Sequence, residues 1–194
     1  MTGATLALDT IRNKETSGQE SAGRERGAMR SVCSLAGQKG LLPSMFDTSK
    51  VGQSFPPFTI EVARCKVHEL ALAVGDTNPI YHSQEAAREA GYADVPLFPT
   101  SPTTFGFWGN REMVGHLVGL GLNVMRILHG EEEYEYIAPV YPGDVLTGTV
   151  TVAEGKSRQG RDGSSMDIVT LETRYTNQEG HEVLKARQTV VVRE

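Results

Sequence analysis

Asp76, Asn78, Pro79, Tyr81 and His82 fall together in the stretch Gly75-Asp76-Thr77-Asn78-Pro79-Ile80-Tyr81-His82. A carboxylate and an imidazole this close in sequence are the residue types that take up and release protons near neutral pH. Two readings of Asp76 stand: a general acid or base, or a turn residue whose carboxylate caps the backbone N–H groups that follow it. His82 reads as a base, a pocket-wall group, or a surface histidine beside Ser83. Asn78 and Pro79 suit fixing the loop, because Pro sets its own dihedral and restrains the residue before it. A phenol such as that of Tyr81, with an ordinary pKa of about 10, donates a hydrogen bond but is a poor base.

Other residues of the right types are more scattered. Thr103 and Thr104 lie where a helix is predicted to begin, and free N–H groups there are placed to bind a carbonyl oxygen or an anion. His129 precedes Glu131, Glu132 and Glu133, but consecutive residues of a strand point to opposite faces, so these acids are expected to form a solvated edge and not a metal site. His68, His116 and His181 are isolated in spacing. Gly119-Leu120-Gly121 lacks the preceding strand and following helix of a nucleotide-binding loop. No metal and no cofactor is indicated.

The elements that must position these residues are legible from periodicity. Phe58 to Ala63 reads as a strand, and Val67, Leu70, Ala71 and Val74 recur at helical spacing within Cys65 to Val74. Ser83 reads as the N-cap of a short helix through Ala90, with Gly91 as its stop. A second helical stretch is predicted from about Thr103 to Val114. Beyond it Tyr134 and Tyr136 suggest a strand, the turn Tyr141-Pro142-Gly143-Asp144 feeds an alternating strand over Leu146 to Val152, and Val169 to Tyr175 alternates likewise. A turn at Asn177 to Gly180 leads to a final β-rich run, Val183 to Val192. One strand, then helices, then about four antiparallel strands is an α+β order in which a sheet can curl round a central helix.

Composition bounds the rest. The chain of 194 residues is 39% hydrophobic and 22% charged, which suits one ordinary soluble domain with some length left over. A net charge of -5, without a Lys/Arg cluster, argues against nucleic acid as a partner. No apolar run approaches the roughly 18 residues of a membrane span, so a membrane partner is not expected either. Cys33 and Cys65 show no paired spacing, which fits a reduced, cytoplasmic protein. Residues 1–44 contain no Phe, Tyr or Trp and carry six basic and four acidic residues. They are expected to form a disordered N-terminal extension, with the folded domain spanning 45–194.

Gly75 to His82, followed by Glu85-Ala86-Ala87-Arg88-Glu89-Ala90-Gly91-Tyr92, by Phe98-Pro99-Thr100 and by Tyr136 to Asp144, resembles the MaoC-like hydratase and dehydratase family of hot-dog folds. The chain looks most like the N-terminal, fatty-acid-synthase-type dehydratase branch of that family. The resemblance implies a curved antiparallel sheet wrapped around a central helix and a hot-dog partner subunit, in a homodimer or a heterodimer. It also implies a hydro-lyase that adds water across the double bond of a trans-2-enoyl thioester of CoA or a carrier protein, or removes it from a 3-hydroxyacyl thioester. Asp76 and His82 are the expected catalytic pair, with Asn78, Tyr81, Thr103 and Thr104 on the substrate side. Phe105, Phe107 and Trp108 are either walls of an acyl tunnel or core.

Active members of the family carry D-x-N-P-x-H, whereas here the fifth residue after Asp76 is Tyr81 and His82 follows one position later. That shift opens a second reading, a non-catalytic acyl-binding subunit whose partner supplies the acid and base. A thioesterase would want its carboxylate on the central helix, where Glu112 is the only one.

Overall fold

The strictest alternation in the chain, Leu146, Val150 and Val152 against Thr147, Thr149 and Thr151, lies on the longest strand of the sheet. In this computed structural model, which describes residues 46–159 and 164–193, that strand is β3 (Val145–Gln159). It pairs with β1 (Phe58–Glu61) on one side and β4 (Ser165–Thr176) on the other. β5 (Glu182–Arg193) follows, and β2 (Ile127–Tyr136) closes the order β1-β3-β4-β5-β2, antiparallel throughout. Between β1 and β2 run four helices, α1 (Arg64–Val74), α2 (Gln84–Glu89), α3 (Pro102–Trp108) and α4 (Met113–Gly119). The hot-dog, α+β architecture expected from the sequence is the one observed.

Side chains of Leu146, Val150, Val152, Val169 and Leu184 from the sheet and Val67 from α1 are fully buried. Phe105 of α3 meets Tyr175 of β4 edge-on at 5.6 Å, and Tyr175 meets Phe58 of β1 at 6.0 Å. Gly148 makes room for that aromatic chain, since a Cβ there would stand 2.6 Å from the Phe58 ring and 2.9 Å from Tyr175. At the far end of β3, Phe46 lies against Gly155, where a Cβ would overlap its ring. The Phe46 N–H donates to the buried Asp167 carboxylate at 3.0 Å.

Two expectations need correction. The helix predicted from about Thr103 to Val114 is two helices, broken at Gly109, where any side chain would collide with Phe58 and Ile60 of β1. Phe105 is core at 2% exposure and Trp108 is 45% exposed; the Phe107 side chain lies outside the described set. β2 and β3 are also longer than their alternation suggested, because each carries a bulge, at His129/Glu131 and Val152/Glu154, that breaks the period of two. The expected extension, residues 1–44, lies outside the described residues, as do Met45 and Cys33; Cys65 is a free, exposed thiol. No helix among the described residues is long and apolar enough to cross a membrane.

Asp94 ties the helical layer together. Its carboxylate accepts both Arg64 guanidinium N–H groups at the start of α1, the Gln84 amide of α2 at 2.8 Å and the Val95 N–H. The Arg64 bonds, ahead of the others, hold the Asp94 carboxyl well below the ordinary range, although burial works against them. With its folded pKa depressed, Asp94 contributes stability above the unfolded value of about 3.9 and loses it as pH falls below that. Thermal unfolding followed from pH 7 to 2 is expected to show this loss, on the order of 1 kcal/mol because Arg64 is half exposed, and Asp94→Asn is expected to remove it.

Candidate functional site

The loop between α1 and α2 is built by local hydrogen bonds that the sequence encodes. Gly75 takes a left-handed conformation, φ 76°, and its N–H returns to the last turn of α1. The Asp76 carboxylate then accepts the Asn78 N–H at 2.7 Å, and the Asn78 side chain accepts the Ile80 N–H at 3.3 Å. Pro79 opens a single 3-10 turn, Pro79–Tyr81. Ser83 caps α2 by accepting the Ala86 N–H, as expected. Asp76 therefore does the capping work of a turn residue, and Asn78 and Pro79 fix the loop.

Tyr81 and His82 leave this loop in different directions. The His82 ring lies edge-on to His68 of α1, with the two Nδ1 atoms 3.0 Å apart, and His82 Nε2 is 2.7 Å from the Asp76 backbone carbonyl. A carbonyl only accepts, so Nε2 carries a proton and donates to it; in a neutral His82 ring the Nδ1 lone pair then accepts the His68 Nδ1–H. Both nitrogens of the expected base are thus engaged, and the Asp76 atom they meet is backbone and not carboxylate. His68, isolated in sequence, is placed on His82 by one face of α1; the signal for it was an α1 position that only the return of the chain fills.

Tyr81 turns the other way, onto Phe98 with ring centroids 4.9 Å apart. Burial, then the negative charge of Asp76 and then Tyr92, push its phenol up, so it remains a neutral O–H donor near neutrality. Close by, Tyr136 at the end of β2 donates to the Pro99 carbonyl at 2.9 Å, and burial followed by Tyr134 and Tyr81 raises its phenol as well. The 75–82 loop, the 98–104 segment and the end of β2 therefore converge around Tyr81.

Glu132 is the residue that sequence reasoning set aside. The bulge beside Gly130 adds one residue to β2, so His129 and Glu132 share a face and approach to 3.3 Å, while Glu131 and Glu133 stay exposed. Glu132 also accepts the Thr103 hydroxyl at 2.7 Å, the Tyr134 phenol and the Gln188 amide at 2.9 Å. Burial alone would raise its carboxyl, but the bonds from Tyr134, Thr103 and His129 together bring it below the ordinary value. Thr103 is accordingly joined to this carboxylate and, at 2.5 Å, to Tyr134, and Thr104 donates back to the Ser101 carbonyl at 2.6 Å. His116 stacks on Phe55 at 4.4 Å, and His181 is exposed beside Glu179. Among the described residues no three His, Cys, Asp or Glu side chains are grouped to hold a metal.

Comparison with known proteins places this geometry. The family described as FAS1-like, dehydratase domain region, matches residues 49–186. A UPF0336 protein of Streptomyces avermitilis is 39% identical over 151 residues, covering 76% of this chain and 95% of the relative. A solved MaoC-like dehydratase is 29% identical with a TM-score of 0.63, over 74% of this chain and 42% of that one. The truncated HadBC (3R-hydroxyacyl-ACP dehydratase) complex of Mycobacterium tuberculosis shares the fold, with a TM-score of 0.61 at 24% identity, over 73% of this chain and 96% of that one.

Proposed function

Because the chain belongs to the FAS1-like dehydratase family, and within it to the UPF0336 proteins, we propose that it is a subunit of an enoyl-thioester hydratase or 3-hydroxyacyl-thioester dehydratase. In this reading it holds the acyl group of a CoA or carrier-protein thioester in the cytoplasm, with 45–194 as the working unit, while a second hot-dog chain supplies the reacting acid and base. The observation that carries the reading is the divergence of Tyr81 and His82: the residue facing the convergence of the loop, the 98–104 segment and β2 is a phenol, and the imidazole is tied to Asp76 backbone and to His68. Tyr81, kept protonated, suits donation to a substrate oxygen and not abstraction of a proton.

A partner is supported by the edge position of β2, whose outer side has no neighbouring strand among the described residues and which exposes Leu128 and Tyr136, with Ile137 just beyond it. A hot-dog partner, the same chain or a related one, adding to this edge would continue the sheet.

A second reading, a self-sufficient hydratase using Asp76 and His82, is favoured by their placement on one short loop, where rotation of the His82 ring away from His68 would free a base beside Asp76. Hydration of crotonyl-CoA by the purified chain, followed as loss of conjugated-thioester absorbance, separates the two. No turnover is expected from the chain alone. Turnover that disappears in Asp76→Asn would establish the second reading instead.

A further inference from the structure

We propose that the outer face of the sheet binds a second copy of this chain, face to face, through two margins of opposite charge. Val169 and Leu171 of β4 and Val190 and Val192 of β5 are buried on the inner side. Ile168, Thr170, Thr189 and Val191 alternate with them and therefore stand on the outer side, where they are half-buried and the Thr170 and Thr189 hydroxyls lie 3.0 Å apart. They make a floor of small and β-branched side chains. Its margins differ in sign: Glu131 and Glu133 of β2 rise on one side and Lys156 and Arg158 of β3 on the other, all exposed and all lining one open groove.

Neighbouring charges on this face are paired within the chain, Arg187 with Glu154 and Glu172 and Lys185 with Glu135, whereas these margin residues have no ion-pair partner among the described residues. They cannot serve each other, because the order β3-β4-β5-β2 holds the two margins three strand spacings apart, about 14 Å. A second copy removes that separation. A two-fold axis lying between the two faces and passing between β4 and β5 lays β2 of one copy over β3 of the other, so each acidic margin meets a basic one. The floor has the same symmetry, since Ile168 is level with Val191 and Thr170 with Thr189, and the axis exchanges the two sides. Glu131 is level with Glu154, two residues short of Lys156. That offset of about 7 Å is taken up by the crossing of stacked sheets and the length of the side chains. A face that carries both halves of its own complement fits a copy of itself better than it fits a partner of one sign.

Sedimentation velocity of the full chain, over a concentration series at low salt, reads the association. Two variants divide the charges: Lys156→Glu with Arg158→Glu makes both margins acidic, and Glu131→Lys with Glu133→Lys makes both basic. The side chains are exposed, so each variant is expected to keep the wild-type circular dichroism and melting temperature. Wild type is expected to form a species of twice the mass of either variant alone, each variant self-associating at least about 100-fold more weakly because like charges then face each other. Mixed in equal amounts, the two variants should recover the wild-type mass, since acidic margins then meet only basic ones. A wild-type mass equal to that of both variants, or a mixture that stays apart, would overturn the proposal. Association lost in the β2 variant but kept in the β3 variant would place the contact at the sheet edge and overturn it too. A hot-dog partner at the β2 edge lies in the plane of the sheet, so pairing there would raise all the masses alike and is told apart from the face.

Discussion

Phe105→Ala is expected to lower the free energy of unfolding by about 3–5 kcal/mol, the range for a large aromatic removed from a packed core. Phe105 is 2% exposed and connects the central helix to the sheet through the edge-on series Phe105, Tyr175, Phe58. The space left behind cannot close easily. Phe58 packs beside Gly148 and Gly109, where a Cβ would stand 2.6 Å and 2.8 Å from its ring, so that ring has little freedom to move. Domains of this size are stable by roughly 5–15 kcal/mol in all, and the variant should melt on the order of 10 °C lower. Phe105→Leu, which keeps most of the volume, should cost no more than about 1.5 kcal/mol. Urea unfolding of both variants followed by circular dichroism checks this; similar midpoints for Phe105→Ala and wild type would show that the packing of Phe105 against Tyr175 contributes little to stability.

The parts of the fold that follow a simple period were legible in the sequence. β3 over Leu146 to Val152, β4 over Val169 to Tyr175 and α1 over Val67 to Val74 each bury one face, and one face buried in a regular element is what hydrophobic periodicity records. The capped loop was legible too, because Gly75, Asp76, Asn78, Pro79 and Ser83 act through bonds only a few residues long. The failures are of the opposite kind. The need for glycine at the break, Gly109, comes from Phe58, about fifty residues away in sequence, and the meeting of His129 with Glu132 goes with a bulge in the pairing of β2 with β5. His68 reaches His82 only because α1 and the loop fold back on each other. Within the candidate site, the identity of the residues was therefore readable and their directions were not: the sequence places Tyr81 and His82 side by side, and only the chain path shows one joining Phe98 and the other joining α1.

That divergence leads to a gain-of-function result. Tyr81 occupies the fifth position after Asp76, where the D-x-N-P-x-H pattern carries its imidazole, and its side chain is close enough to Asp76 to feel the carboxylate. Tyr81→His is expected to put an imidazole on that side of the loop and to raise crotonyl-CoA hydration by the purified chain at least 100-fold over the background rate seen with wild type, the lower end of what a positioned acid or base contributes. Asp76 can take part while still accepting the Asn78 N–H, since a carboxylate has lone pairs for several donors. If the new imidazole is the base, the rate should rise with pH through about 6.5 and level off above it, because only the neutral ring accepts a proton. His82→Ala added to Tyr81→His should keep the gain, since the native histidine faces His68, whereas Asp76→Asn added to it should abolish it. The loss of the Tyr81 contact with Phe98 should cost about 1 kcal/mol, small enough to keep the variant folded. A folded Tyr81→His chain that binds crotonyl-CoA and stays at the wild-type rate would show that register alone does not separate this subunit from a hydratase, and that the missing element lies on the partner.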